Sequence, residues 1–384
     1  MVPLLNEADR TGVRTELLDV VEYRKSGLSL NWIIGCPLDC GYCVRHLFDN
    51  FALKVPGALM RESQAVELLV NHRYFRAHVT PVQLLNRATD PMLPAVKPHT
   101  FEMLRLLDER GLTNHVLVIS RWRIEPADCA ILNSFHNIKV TVLVTYSGID
   151  HARIEPVDSN IAAGSLHTAF EHADKYRVVL YWRPIVPGLN DTNDHIRRAL
   201  GLNRWAHATV FTGLFYKGQI RDYYRAHGLP EPYGEGARRK VFPENLERRI
   251  LAAAREGTGS RLFRKTSCAV AYAHGDPDYN GHYGIREVCD ICPAAQLTRC
   301  AQAWQRPDGG RVAALVDELG GNLVEINDRA VVVDGLDEQR RYFVQHSVGY
   351  QVHDVANPHY PRQHGRASIG WPTTQPATRA EEPQ

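Results

Sequence analysis

The chain has 384 residues, of which 44% are hydrophobic and 23% are charged, and its net charge is +2. This composition is typical of a globular protein and excludes a disordered or fibrous chain. Its eight cysteines are too few for a disulfide scaffold, and the small net charge produces no strong field that would attract nucleic acid or a membrane. No apolar run approaches the ~20 residues that cross a bilayer, and the N-terminus shows no secretory signal. We therefore expect a cytoplasmic protein that has no membrane partner.

Residues 28–216 alternate between apolar runs rich in β-branched residues and segments with helical periodicity. The runs predict six strands, at 28–35, 79–85, 115–120, 138–145, 177–186 and 207–215. The segments between them predict five helices, at 63–74, 100–110, 126–135, 161–175 and 193–204. Strands separated by single helices form a parallel sheet with right-handed crossovers. Six units are too few for a closed eightfold barrel, so we predict an α/β fold built on an open or partial (βα)6 barrel.

The rest of the chain divides by composition. Residues 1–27 form an N-terminal extension. Residues 217–260 are predicted to be a basic linker and helix, with a connecting loop at 217–241 and the helix at 242–257. A cysteine-rich segment at 261–304 precedes a small α+β module at 305–353. That module is predicted to contain a helix at 310–319, a hairpin of strands at 323–326 and 330–333, and two segments of uncertain type at 336–346 and 350–353. Residues 354–384 are expected to be an extended tail.

Three cysteines, Cys36, Cys40 and Cys43, directly follow the first predicted strand. In parallel sheets, functional residues gather at the carboxyl ends of strands. A [4Fe–4S] cluster normally takes four cysteine ligands, so three would leave one iron with an open coordination position. A zinc site that uses His46 as its fourth ligand is the alternative.

The string from Cys36 to Cys43 resembles the signature of the radical SAM superfamily, Cys-x3-Cys-x-aromatic-Cys, with Tyr42 as the aromatic residue. The resemblance implies a partial barrel with a [4Fe–4S] cluster after its first strand. It also implies that the open iron binds S-adenosylmethionine (SAM), and that Tyr42 lies at this cofactor. Such an enzyme takes an electron from a partner such as flavodoxin or ferredoxin. It cleaves SAM to methionine and a 5′-deoxyadenosyl radical, which abstracts hydrogen from a substrate.

Three further segments are similar to spore photoproduct lyase-like members of that superfamily: 87–91, 154–156 and 183–191. Each follows a predicted strand, and the strand ends supply the candidate SAM contacts, which are Thr89, Asp90, Ser120, Arg121, Thr145, Ser147 and Arg183. Thr89 and Asp90 could bind the amino group by charge-assisted hydrogen bonds. The other residues are candidates for the ribose and the carboxylate. Asp90 could instead be a turn residue before Pro91, and Arg183 could belong to a structural ion pair.

Four more cysteines, Cys268, Cys289, Cys292 and Cys300, form a second group. Four thiolates complete a closed site, which could hold a second [4Fe–4S] cluster or a structural zinc. The family resemblance favours iron, since many radical SAM proteins carry an auxiliary cluster after the barrel. Cys129 stands alone on a predicted helix and is expected to be a packed core thiol.

These motifs favour a radical SAM enzyme, of lyase or oxidoreductase type, that acts on a small metabolite or a peptide. Residues 196–265 combine an excess of basic residues with interleaved aromatic residues, a combination that nucleic-acid binding uses. Repair of a DNA lesion or modification of RNA is therefore an alternative. The alternative from another class is a non-catalytic zinc or iron–sulfur binding protein.

Overall fold

The structure is a computed structural model, and it describes residues 2–233, 243–256 and 261–356, apart from the side chain of Glu244. Parts of the predicted basic linker (234–242 and 257–260) and most of the predicted tail (357–384) lie outside the described residues.

The strands, in chain order, are β1 (Val21–Arg24), β2 (Gly27–Leu30), β3 (Ile33–Ile34), β4 (Gly57–Ala58), β5 (Val82–Leu84), β6 (His115–Ser120), β7 (Lys139–Tyr146), β8 (Arg177–Ile185), β9 (Ala208–Gly213), β10 (Leu262–Phe263), β11 (Asn322–Ile326), β12 (Val331–Asp334) and β13 (Val352–Asp354).

The helices are α1 (Glu7–Arg10), α2 (Thr15–Leu18), α3 (Glu62–Val70), α4 (Lys97–Glu109), α5 (Pro126–Leu132), α6 (Ser159–Glu171), α7 (Asn193–Gly201), α8 (Gly218–Ala226), α9 (Glu244–Glu256), α10 (Thr266–His274), α11 (Arg286–Cys289), α12 (Ala294–Ala303), α13 (Gly309–Glu318) and α14 (Glu338–Val348). Two short 3₁₀ helices lie at Val44–Phe48 and Leu202–Trp205.

The central sheet has the strand order β1-β2-β5-β6-β7-β8-β9-β10. From β2 to β10 every pairing is parallel and follows the order of the chain. Only β1 is antiparallel, in a hairpin with β2. These pairings confirm the α/β class and the central parallel sheet. The sheet also takes in β1, from the predicted N-terminal extension, and β10, from the cysteine-rich segment.

Side chains alternate between the two faces of the sheet because the strand repeat is two residues. Val116, Val142 and Val178 belong to the large core that α3 to α7 cover. Leu117 and Val179 point to the opposite face, here called the inner face, where α10 packs on them. The cysteine-rich segment therefore packs against the interior of the fold through α10.

Two element predictions were wrong. The predicted strand 28–35 is divided, since β2 ends at Leu30 and β3 pairs with β4 instead. The predicted loop 217–241 contains α8, which sequence reasoning missed because glycine, proline and arginine dominate the composition of that stretch. Ile220 and Tyr224, one helical turn apart, bury the apolar side of α8 against Leu214 and Tyr216.

The small C-terminal module consists of α13, α14 and a three-stranded sheet of order β11-β12-β13. The two segments of uncertain type are α14 and β13. Helix α14 lies against β1, where the backbone N–H of Tyr23 donates to Gln339 Oε1 at 2.9 Å. The module thus packs on the edge of the central sheet. Of the helices in the described ranges, none has the length and apolar character that crossing a membrane requires.

Candidate metal centre and cofactor site

The three-cysteine loop begins where β3 ends. Gly35 has φ +90°, and a Cβ there would lie 2.3 Å from the carbonyl oxygen of Val55, so only glycine fits this turn. Cys36 and Cys40 are buried, and Cys43 is half-buried. Burial raises the pKa of the Cys40 and Cys43 thiols. As free thiols they would therefore stay protonated, and a bound cation is what would hold them as thiolates.

The distances between these sulfur atoms can be compared with those expected around a single metal ion. The sulfurs of Cys36, Cys40 and Cys43 are not all within 4.8 Å of one another. Thiolates on one tetrahedral zinc ion, with Zn–S bonds of about 2.3 Å, lie only about 3.8 Å apart. His46, the fourth ligand of the zinc alternative, stacks on Phe51 with 3.7 Å between ring centroids, and its Nε2 makes no hydrogen bond to a described residue. The three sulfurs are therefore not gathered around a single ion.

Arg45 holds the same loop together through hydrogen bonds to its backbone. Its guanidinium donates to five backbone carbonyls, those of Cys36, Leu38, Asn50, Phe51 and Leu53. The residue is only 2% exposed, and no carboxylate of the described residues lies within 4.0 Å of it. A buried charge normally needs a counter-charge. An anionic iron–sulfur cluster held by three thiolates would supply that counter-charge.

A second network joins the cysteine loop to the ends of β6 and β7. Glu155, whose side chain is 5% exposed, accepts hydrogen bonds from Tyr42 and from Ser147 Oγ, the latter at 2.9 Å. Arg121 pairs with the same carboxylate at 3.3 Å and lies over the Tyr42 ring at 5.0 Å. Burial raises the pKa of Tyr42, so it stays a neutral hydroxyl. Three predicted SAM contacts are therefore held together by Glu155.

Asp90 links the end of β5 to the end of β6. Its carboxylate accepts from Met92 N at 2.9 Å, Ser120 Oγ at 2.6 Å and Arg121 N at 2.9 Å. Burial raises its pKa. A carboxylate has about four acceptor sites, and the protein uses three of those on Asp90. This favours Asp90 as a turn residue before Pro91. The role of Asp90 toward the SAM amino group stays a prediction.

Other polar atoms at this edge have no partner among the described residues. The hydroxyls of Thr89, Thr145 and Thr212 and the Nε2 of Gln83 are buried without a hydrogen bond to any described residue. Thr145 and Thr212 lie on the inner face near the carboxyl ends of β7 and β9, two residues beyond the inner-face residues Leu143 and Val210. Because orphaned buried groups cost free energy, they are the groups that a bound polar cofactor would satisfy.

Arg183 lies near the end of β8 and is half-buried. Its guanidinium covers the Tyr181 ring at 3.9 Å, and no carboxylate of the described residues lies within 4.0 Å of it. Arg183 therefore forms no structural ion pair with any of the described residues. A cation stacked on a tyrosine at a strand end is placed to receive a ligand carboxylate.

The second cysteine group is assembled around a short loop after α10. Asp278 receives a hydrogen bond from Cys268 Sγ at 3.5 Å, and its backbone N–H donates to Cys300 Sγ at 3.4 Å. The thiol of Cys289 donates to the carbonyl of His282 at 3.5 Å, and the thiol of Cys292 donates to the carbonyl of Val288 at 4.0 Å. The structure thus brings the four predicted cysteines to one place.

Asp278 and His282 lie among these cysteines, and Asp278 was not singled out from the sequence. His282 Nδ1 is 3.0 Å from Asp278 Oδ2, and both side chains are almost fully buried. Burial raises the pKa of Asp278, but the charge and hydrogen bond of His282 outweigh burial and hold the pKa below its usual range. Within the described ranges, Cys268, Asp278 and His282 alone form a trio of ligand atoms all within 4.8 Å of one another. The four cysteine sulfurs are more widely spaced than that trio.

Sequence reasoning also left Arg45 and Glu155 out of the site. Glu155 had a signal, since it lies in a segment quoted for the family resemblance. Arg45 had none, because a lone arginine two residues after a cysteine is common and its five acceptors are backbone atoms.

No family model and no curated protein matches the chain. Solved structures do match. Spore photoproduct lyase complexed with dinucleoside spore photoproduct is 12% identical, with a TM-score of 0.43 over 65% of this chain and 80% of that chain. Streptococcus suis SuiB bound to S-adenosylmethionine is 12% identical, with a TM-score of 0.38 over 59% of this chain and 46% of that chain. SuiB bound to the precursor peptide SuiA is 10% identical, with a TM-score of 0.40.

Proposed function

We propose that the chain is a radical SAM enzyme in which Cys36, Cys40 and Cys43 hold a [4Fe–4S] cluster with one open iron. The observation that carries the proposal is the buried three-cysteine loop, whose carbonyls bind the Arg45 guanidinium, a buried charge with no carboxylate of the described residues within 4.0 Å. The loop lies beside a parallel sheet whose strands follow chain order, which supports the arc of a partial barrel.

When bound, the cluster would pass an electron, from a donor such as flavodoxin or ferredoxin, to SAM, whose cleavage yields methionine and a 5′-deoxyadenosyl radical. The protein residues bind and orient that cofactor. The Thr89 and Thr145 hydroxyls, buried without partners, would hydrogen-bond its polar groups, and Arg183 would pair with its carboxylate. Tyr42, Arg121 and Glu155 would form one wall of the site and hold it rigid.

We propose an auxiliary [4Fe–4S] cluster at the second cysteine group. Four cysteines converge there, and four thiolates are the ligand set that a closed [4Fe–4S] cluster takes. The cluster would lie directly behind α10, which carries Cys268 and packs on the inner face.

The proposed substrate is a small metabolite or a peptide. Helix α10 fills part of the inner face of the sheet, and the described polar groups at the strand ends are buried. A duplex would therefore have to be unstacked before a base could reach them. The basic stretch that suggested nucleic acid lies partly outside the described residues.

Iron content and the signal of the reduced cluster test the proposal. Protein reconstituted without oxygen should bind about eight irons per chain, and the Cys36→Ala/Cys40→Ala/Cys43→Ala variant about four. Adding SAM to the reduced wild type should change the electron paramagnetic resonance spectrum, because SAM binds the open iron. The matched control is Cys129→Ala, a cysteine buried in α5 outside both groups, which should behave as wild type. Zinc in place of iron, or a spectrum indifferent to SAM, would contradict the proposal.

A further inference from the structure

Gln296 lies on α12, one helical turn before Cys300, and its side chain meets the second cysteine group. The residue is only 1% exposed. Its Nε2 donates to Cys300 Sγ at 3.3 Å and to the carbonyl of Asp276 at 3.1 Å. Its Oε1 accepts a hydrogen bond from the Arg299 guanidinium at 2.8 Å. The amide nitrogen and the amide oxygen of Gln296 are thus both engaged.

These partners fix the direction in which the Gln296 amide points. A guanidinium has only donors and a backbone carbonyl oxygen only accepts, so Oε1 must face Arg299 and Nε2 must face Asp276. Turning the amide over would lose both of those hydrogen bonds. The group that faces Cys300 Sγ is therefore an N–H donor.

The sulfur of Cys300 also accepts a second hydrogen bond, from the backbone N–H of Asp278 at 3.4 Å. The other three cysteines of the group contact oxygen atoms. Cys268 Sγ lies 3.5 Å from Asp278 Oδ1, and the thiols of Cys289 and Cys292 donate to backbone carbonyls. Two donors of the described residues thus converge on the Cys300 sulfur.

Hydrogen bonds to the sulfur ligands of an iron–sulfur cluster tune its reduction potential. Reduction adds one electron, which makes the sulfurs more negative, so an N–H donor stabilises the reduced cluster more than the oxidised one. Because Gln296 is buried, bulk water cannot replace its amide at this sulfur.

We propose that Gln296 is a positioning residue that raises the reduction potential of the auxiliary cluster through its hydrogen bond to Cys300. The inference rests on the auxiliary cluster of the proposed function. It adds that the four cysteine ligands are not equivalent, because the protein supplies donors to Cys300.

A redox titration followed by electron paramagnetic resonance tests this role. The parent is the reconstituted chain with Cys36, Cys40 and Cys43 replaced by alanine, in which the second cluster alone gives a signal. Gln296→Met removes the donor from a side chain of similar length and should lower the potential. The expected change is about three- to tenfold in the equilibrium between reduced and oxidised cluster, and tenfold is 59 mV for one electron.

The matched control is Gln302→Met, the same change at an exposed position of α12, which should keep the parent potential. Gln296→Met in the chain that has both clusters should leave the potential of the first cluster unchanged.

Gln296→Lys should shift the potential in the opposite direction. Its ammonium group can donate to the same sulfur and adds a positive charge, so the potential should rise above that of the parent. An unshifted potential in Gln296→Met, or a fall in Gln296→Lys, would overturn the inference. If Gln296→Met fails to take up iron, Gln296→Lys decides alone, and any result other than a rise overturns the inference.

The iron content of the parent separates this inference from the proposed function. About four irons at the second site, with a potential indifferent to Gln296, would refute the inference and leave the auxiliary cluster standing. A parent that holds zinc or no metal at the second site would contradict both.

Discussion

Arg45, which is 2% exposed, places a buried positive charge against the loop that carries the three cysteines. Its hydrogen bonds reach carbonyls from Cys36 to Leu53, so one side chain fixes both ends of the loop. A planar guanidinium with five donors can serve such a set of acceptors, whereas an ammonium group on a flexible stem cannot.

We predict that Arg45→Met lowers the iron content at the first site while leaving the second site filled. Five carbonyls would lose their donor and the cluster would lose its counter-charge. The measurement is the number of irons per reconstituted chain, which should fall from about eight toward about four. Arg76→Met is the matched control and should leave the iron content unchanged. The exposed Arg76 also donates to two backbone carbonyls, but it makes no hydrogen bond to the cysteine loop. Full iron content in Arg45→Met would contradict this role.

Sequence reasoning found the site residues that belong to a short spacing pattern. It missed site residues that are recognised only by their contacts in the folded structure. Cys36, Cys40 and Cys43 were found because their spacing is short and local. Asp278 lies between cysteines that are far apart in sequence, so its contacts depend on how that loop folds. The free hydroxyl of Thr145 and the engaged hydroxyl of Ser147 look alike in sequence, and burial and partners alone distinguish them.

At the scale of elements, α10 determines how much of the inner face remains open. It lies along β8 and β9, with Thr266 reaching the Tyr181 hydroxyl at 3.1 Å and His274 Nε2 lying 2.9 Å from Thr141 Oγ1. Its small residues Ala269 and Ala271 are fully buried, which permits close approach to the sheet. The helix therefore covers the part of the inner face that β8 and β9 form.

We predict that Val270→Ala lowers the free energy of unfolding by about 2 kcal/mol, because Val270 is fully buried in the inner-face cluster and the change leaves a cavity. Chemical denaturation of the metal-free chain measures this. Val324→Ala, at a residue 55% exposed on β11, should cost under about 0.5 kcal/mol. Equal effects of the two changes would show that α10 is not packed on the sheet.

Element prediction succeeded where periodicity is strong. Strand β6 begins and ends at the predicted residues, and β7 and β8 end within one residue of prediction. It failed at α8, whose apolar side consists of Ile220 and Tyr224 within a polar stretch. Short amphipathic helices gain their stability from tertiary contacts that a local pattern does not display.

At the scale of the whole molecule, the C-terminal module is attached to the first strand through a buried polar chain. Tyr23 OH lies 2.8 Å from His346 Nδ1, and His346 Nε2 meets Asn280 in the cysteine-rich segment. The Asn280 side chain also donates to the carbonyl of Lys25 at 3.2 Å. The beginning, the cysteine-rich segment and the end of the described fold therefore meet at one histidine.

This junction predicts a dependence of stability on pH. Burial lowers the pKa of His346 to about 3, from its ordinary value of 6.5. Below pH 6.5 the unfolded chain binds a proton that the folded chain does not, so stability falls as the pH falls from 6.5 toward about 3. The contribution is about 1.4 kcal/mol per pH unit within that window.

His346→Gln should therefore flatten the slope of unfolding free energy against pH by about 1.4 kcal/mol per unit between about pH 6 and 4. Urea denaturation of the metal-free chain across that range measures the slope. The control is His167→Gln, at an exposed histidine, which should keep the wild-type slope. An unchanged slope in His346→Gln would contradict the claim that His346 is buried and neutral in the folded chain.

Cleavage of SAM tests the central claim most directly. Protein reconstituted without oxygen, reduced and given SAM should form 5′-deoxyadenosine and methionine in equal amounts, and replacing Cys36, Cys40 and Cys43 by alanine should abolish both products. A fully iron-loaded, reduced wild type that leaves SAM intact would contradict the account.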